Sequence, residues 1–126
     1  MEELIVKATH KTPEIKGDLE NGQFTIKGVC IPEDARDFFV PFKDWLLELM
    51  HSDTGKIQAE LHLEYFNTST SSILLDIFKQ LNKLTDEKEI SITWSFDEDD
   101  LEMEEVGMDY QLILGENFKL NRKSAN

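Results

Sequence analysis

From Ile57 to Tyr65 apolar side chains recur at alternate positions: Ile57, Ala59, Leu61, Leu63 and Tyr65 are separated by Gln58, Glu60, His62 and Glu64. The same period of two governs Ile90, Ile92, Trp94 and Phe96, which alternate with Glu89, Ser91, Thr93 and Ser95. Both stretches read as strands with one buried and one wet face. Strands covered by helices on both faces are apolar throughout, so this alternation predicts a sheet covered on one side only. The covering helices are legible too. Phe38, Phe42, Trp45, Leu46 and Leu49 fall at helical spacing, with Pro41 either kinking the segment or opening its main part. Ile73, Leu74, Ile77, Phe78, Leu81 and Leu84 form a second apolar stripe. A third helix is expected over residues 101–114, with Met103, Val106, Tyr110 and Ile113 on one side and Gly115 as its stop.

Shorter elements complete the expectation. Residues 4–8 form a first strand, and the tight-turn pair Asn21-Gly22 joins residues 13–18 to residues 24–30 as a hairpin. Phe118 and Leu120 suggest a short last strand. Strands alternating with helices imply right-handed crossovers. The expected fold is therefore α/β: a two-layer sandwich with a mixed sheet of four to five strands, an N-terminal antiparallel ribbon and helices mainly on one face. At 126 residues the chain supports a single domain, taken as residues 1–120, with residues 121–126 as a loose tail. Its 40% hydrophobic content and eight phenylalanines are enough to build a core.

Charge narrows the list of ligands. Acidic residues outnumber basic ones 26 to 13, a net charge of −13 that repels nucleic acid and anionic membrane surfaces. No run approaches the length of a membrane span, and the start Met-Glu-Glu-Leu-Ile lacks the basic opening of a signal peptide, so a cytoplasmic location is expected; the single Cys30 is compatible with it.

Candidate chemistry thins out quickly. His10, His51 and His62 are widely separated and no metal-binding spacing occurs. Glu60, His62 and Glu64 share a strand face, which reads better as a solvated sheet surface than as a metal site. The run Asp97-Glu98-Asp99-Asp100-Leu101-Glu102-Met103-Glu104-Glu105 fails the calcium-loop pattern, with Leu101 at its fifth position, Glu102 at its sixth and Met108 at its twelfth. It suits the start of a helix, whose dipole favours negative charge. There is no nucleophile elbow and no glycine-rich phosphate loop, so neither an enzymatic activity nor a cofactor is expected.

What stands out is Asn67 followed by five hydroxyls, Thr68, Ser69, Thr70, Ser71 and Ser72, between the strand ending near Tyr65 and the helix opening near Ile73. One or two such residues suffice to cap a helix. Five exceed that need, and a phosphate here would meet the free amides of a helix N-terminus. From the residues alone, capping and a regulatory phosphate both remain open.

Several segments also resemble one family. Thr12-Pro13-Glu14-Ile15, Gly28-Val29-Cys30-Ile31-Pro32-Glu33, Leu63-Glu64-Tyr65-Phe66-Asn67-Thr68-Ser69, Ile92-Thr93-Trp94, and Asp99-Asp100 followed by Gly107 and Tyr110 are similar, in this order, to the SiaC family of bacterial regulatory phosphoproteins. Cys30 stands where that family usually has Ser, and Phe66 where Leu is common. The resemblance implies a fold like that of STAS domains, the anti-sigma-factor antagonists. It also implies a partner switch in which a cognate kinase phosphorylates Thr68 and a metal-dependent phosphatase reverses it. The unphosphorylated form then binds a diguanylate cyclase, raising cyclic di-GMP and promoting aggregation or biofilm. Asn67, Ser69, Thr70 and Ser71 would shape the turn that kinase, phosphatase and effector recognise. The competing expectation is a constitutive interaction module that docks its acidic run, residues 97–105, on a basic partner.

Overall fold

The computed structural model describes residues 3–124. Six strands form one sheet in the order β1-β2-β3-β4-β5-β6: β1 Glu3–Val6, β2 Glu14–Asp18, β3 Gln23–Cys30, β4 Lys56–Phe66, β5 Glu89–Asp97 and β6 Phe118–Lys123. The first three are joined antiparallel, and β3 to β6 run parallel. Helices α1 Ala35–Phe38 and α2 Val40–Met50 lie between β3 and β4, α3 Thr68–Asn82 between β4 and β5, and α4 Leu101–Leu114 between β5 and β6. Because each parallel strand is added on the same side of its predecessor, right-handed crossovers carry all four helices to one face. The one-sided sheet expected from the alternation follows from this order. Six strands replace the expected four to five, the difference being the two edges.

The last strand also takes in part of the expected tail. Asn121, Arg122 and Lys123 pair with Ser95, Phe96 and Asp97, and only Ser124 follows within the described residues; Ala125 and Asn126 lie outside them. Arg122 reaches the Glu104 carboxylate and its guanidinium lies 5.9 Å from the centre of the Phe96 ring. These contacts explain why a polar segment joins the sheet.

Under the helices the core has two aromatic centres. Phe24, Phe39, Phe42 and Trp45 meet at ring separations of 5.0 to 6.3 Å where α2 crosses the sheet. Trp94, Phe78, Tyr110 and Phe118 form the other, where α3 and α4 converge on β5 and β6. Gly107 makes this second centre possible, since a β-carbon there would lie 2.5 Å from Trp94 Cδ1. The buried face of α4 is accordingly Met103, Gly107, Tyr110 and Leu114, while Ile113, expected on that face, is exposed.

Opposite the helices, the open face is tied together by polar side chains. His62 meets Asp97 at 3.0 Å, and Glu60 accepts from Ser95 at 2.9 Å and lies 3.2 Å from Lys123. The Glu60, His62 and Glu64 face thus has Glu60 and His62 engaged with neighbouring strands.

Candidate functional site

The hydroxyl run proves to be helix and not turn. Asn67 is the residue before the first turn of α3, and its side-chain oxygen accepts from the Thr70 amide at 3.1 Å. Thr68 to Ser72 therefore form the first helical positions, five residues earlier than the apolar stripe suggested. The same Asn67 oxygen takes hydrogen bonds from Thr70 Oγ1 at 2.7 Å and Ser69 Oγ at 3.2 Å, while its amide nitrogen donates to the Pro32 carbonyl at 3.4 Å. The Asn67 backbone amide in turn donates to the Cys30 carbonyl at 3.2 Å. One asparagine thus ties the end of β4, the start of α3 and the exit from β3 together.

The other hydroxyls divide by direction. Thr70 is fully buried, and with its proton given to Asn67 its oxygen also lies 3.5 Å from Cys30 Sγ. It shapes the turn from beneath and offers no surface of its own. Burial pushes the Cys30 thiol above its ordinary pKa, with the Thr70 contact working the other way. Ser71 faces α4, where Tyr110 donates to its carbonyl at 3.0 Å and the two hydroxyls lie 3.1 Å apart. Burial likewise raises the Tyr110 phenol, opposed by Ser71. The phenol is neutral at physiological pH and acts as a fixed strut between α3 and α4. No sequence spacing pointed to this pair, which are 39 residues apart.

Thr68 is exposed, and its hydroxyl has no hydrogen bond to any described residue. It lines a cleft of about 290 Å³ between the N-termini of α3 and α4, with Glu64, Tyr65, Phe66, Asp100, Glu102 and Val106 around it. Ser72 is also exposed and its hydroxyl bonds to no described residue, but it does not line the cleft.

A slip in the sheet shapes this cleft. Gly28 of β3, with φ +117°, pairs with Leu63, yet Val29 pairs with Tyr65, so Glu64 has no residue opposite it. A bulge of this kind turns the following side chains. Tyr65, which the alternation assigned to the buried set, is 60% exposed and stands at the rim. The far wall comes from the acidic run, where Asp100 caps α4 by accepting from the Met103 amide at 3.1 Å and Glu102 follows in the first turn. As expected, these carboxylates gather at a helix start; that they also face Thr68 was not foreseeable. Among the described residues no lysine or arginine lines the cleft. No group of three or more metal-ligating side chains occurs among the described residues. None of the described helices is long and apolar enough to cross a membrane.

Comparison with known proteins agrees with this architecture. A curated relative, an uncharacterised protein of Pseudomonas aeruginosa (strain UCBPP-PA14), is 28% identical over 98 residues, covering 77% of this chain and 78% of the relative. The solved structure of SiaC of Pseudomonas aeruginosa superposes with a TM-score of 0.85 at 23% identity, covering 98% of this chain and 99% of that one. A crystal structure of the diguanylate cyclase SiaD in complex with its activator SiaC, from the same organism, matches with a TM-score of 0.86 at 23% identity over 96% of this chain and 98% of that one. Residues 6–123 match the profile of the SiaC family regulatory phosphoproteins, and with nearly the whole chain covered, this protein belongs to that family.

Proposed function

We propose that this protein is a non-enzymatic phosphoswitch with Thr68 as the acceptor. The observation that carries the reading is that Thr68 is the one hydroxyl of the run that both lines the cleft and lacks a hydrogen-bond partner. Its neighbours Ser69 and Thr70 spend theirs on Asn67, and Ser71 on Tyr110 of α4. A phosphoryl group would bring about −1.5 to −2 charges to the first position of a 15-residue helix, where free amides favour an anion. The same group would face Glu64, Asp100 and Glu102 without a cation among the cleft's lining residues, so it changes the charge and filling of the cleft sharply. A partner that seats itself in the unphosphorylated cleft is repelled or sterically excluded from the phosphorylated one. The P. aeruginosa SiaC with this fold is the activator of the diguanylate cyclase SiaD, and the effector proposed here is likewise a diguanylate cyclase. The cycle requires a cognate Ser/Thr kinase and a metal-dependent phosphatase, all acting in the cytoplasm.

Intact-mass spectrometry of protein from its native host tests this. A species about 80 Da heavier should appear while the kinase is active, vanish on phosphatase treatment and be missing from Thr68→Ala. Cyclase binding should be strong for the light species and lost for the heavy one. Persistence of the added mass in Thr68→Ala, or equal binding by both species, would refute the reading.

A second reading rests on α4. Its solvent side carries exposed Leu101, Met108 and Leu112 beside Glu102, Glu105 and Asp109, an apolar stripe with acidic flanks suited to constitutive docking of a basic partner. This reading requires that Thr68→Glu leave partner capture unchanged while Glu102→Gln/Glu105→Gln/Asp109→Asn abolishes it.

A further inference from the structure

The two edges of the sheet are built differently. At one end β6 presents Lys119, Arg122 and Lys123, charges of the kind that discourage another strand from pairing. At the other, β1 pairs with β2 alone and carries Leu4, Ile5 and Val6 with no proline, bulge or lysine inside the strand. Ile5 is 64% exposed on the open face. Beside it that face dips into a hollow of about 410 Å³ lined in part by Ile5, Lys16, Phe24 and Thr25. An unprotected apolar edge of this kind is a template for strand addition.

We propose that β1 is a self-association edge, on which two copies of this chain pair antiparallel to give one continuous twelve-stranded sheet. Two observations select a second copy as the occupant. The segment Glu3-Leu4-Ile5-Val6-Lys7 is complementary to itself: an antiparallel pair centred on Ile5 sets Leu4 opposite Val6 of the other copy and Glu3 opposite Lys7, twice over. The charge distribution also favours approach from the N-terminal side of the sheet. Residues 1–30 hold five carboxylates and four lysines, a net of −1, so that −12 of the total −13 lies in the remaining 96 residues. The acidic helical segments of two copies repel; the segment that carries β1 is nearly neutral. The two-fold axis makes the interface closed, with no free edge left to extend it except the lysine-bearing β6 strands. The Thr68 cleft follows β4, three strands away, so each copy of the dimer keeps its own cleft.

Sedimentation equilibrium of the full chain up to about 0.5 mM in about 0.15 M salt, where charge is screened beyond roughly 8 Å, reads this directly. The 14.6 kDa mass should double reversibly with concentration. Ile5→Lys, a change at an exposed side chain, should hold the protein monomeric. Lys7→Glu sets like charges opposite each other at both ends and should weaken the dimer about ten-fold, and the exchange Glu3→Lys/Lys7→Glu should restore it. A protein that stays monomeric over this range overturns the proposal. So does a dimer indifferent to Ile5→Lys or to the charge exchange.

Discussion

At the scale of single residues, Asn67 holds the site together. Three hydrogen bonds converge on its side-chain oxygen and a fourth leaves its nitrogen. Replacing a helix cap by alanine costs about 1 kcal/mol on average. Asn67→Ala here also leaves the Thr70 hydroxyl buried with only the Cys30 carbonyl at 3.3 Å and the thiol at 3.5 Å as partners, and a poorly satisfied buried hydroxyl adds to the penalty. The expected loss is about 2 kcal/mol in a urea titration. Asn67→Asp keeps the acceptor at a helix N-terminus and should lose less than half as much. Equal losses in the two variants would mean that the bond to Pro32, and not the cap, dominates. Glu60 works on the same scale across the open face. Burial alone would raise its carboxyl, but the Ser95 hydroxyl and the Lys123 ammonium together hold it below the ordinary glutamate value. A depressed carboxylate stabilises the fold above the unfolded pKa and loses that contribution as pH falls through the folded one, so Glu60 belongs to the acid limb of the stability profile.

Among the elements, α4 depends on one glycine. In an exposed helix Gly→Ala gains about 1 kcal/mol. At Gly107 the added methyl would sit 2.5 Å from Trp94 Cδ1 and 2.7 Å from Leu120 Cδ2, and overpacking of a core costs roughly 1–3 kcal/mol. Trp94 cannot yield easily because its indole N–H donates to the Met103 carbonyl of the same helix at 3.0 Å. Gly107→Ala should therefore destabilise by about 1 kcal/mol net and shift the tryptophan emission; a gain in stability would mean that α4 slides freely on the sheet. The packing of this helix also separates what was legible in the chain from what was not. Residues 57–65 and 90–96 declared their strands because a one-sided sheet imposes alternation, and the acidic run and Gly115 marked the ends of α4 by local chemistry. Thr68 was legible as part of a hydroxyl excess, and its selection rested on the family resemblance. The buried face of α4 was misread at Ile113 because a glycine contact carries no hydrophobic signal. Tyr65 was misread because a bulge is a property of two strands, not of one. The cleft itself joins residues from β4, α3 and α4 that no local pattern connects. Edge strands β1 and β6 were weak signals for the related reason that four and six residues with little burial leave little periodicity to read.

For the molecule as a whole, the dominant long-range force is self-repulsion. With −13 net charge on 126 residues, compaction brings like charges together while the unfolded chain spreads them out. The described cation-to-carboxylate contacts are too few to offset this, and Lys56 with Glu89 joins side chains that are largely in water. Raising salt from about 0.01 M to 0.15 M shortens the screening length from roughly 30 Å to 8 Å. That reduces repulsion across the whole globule more than it weakens a few surface pairs. Thermal unfolding at micromolar protein, where the β1 dimer is dissociated, should therefore show Tm rising by about 4 °C over this range, equivalent to roughly 1 kcal/mol for a domain of this size. Potassium chloride and sodium chloride should act alike, because the effect is screening and not a bound ion. A Tm that falls with salt would assign more stability to the ion pair of the open face, Glu60 with Lys123, than to the relief of the acidic surface. Charge-neutral variants discriminate further: Glu105→Gln/Asp109→Asn, exposed positions of α4 beyond its first turn, should raise the low-salt Tm and flatten its salt dependence, because they remove like charges without giving up a favourable contact with the helix dipole.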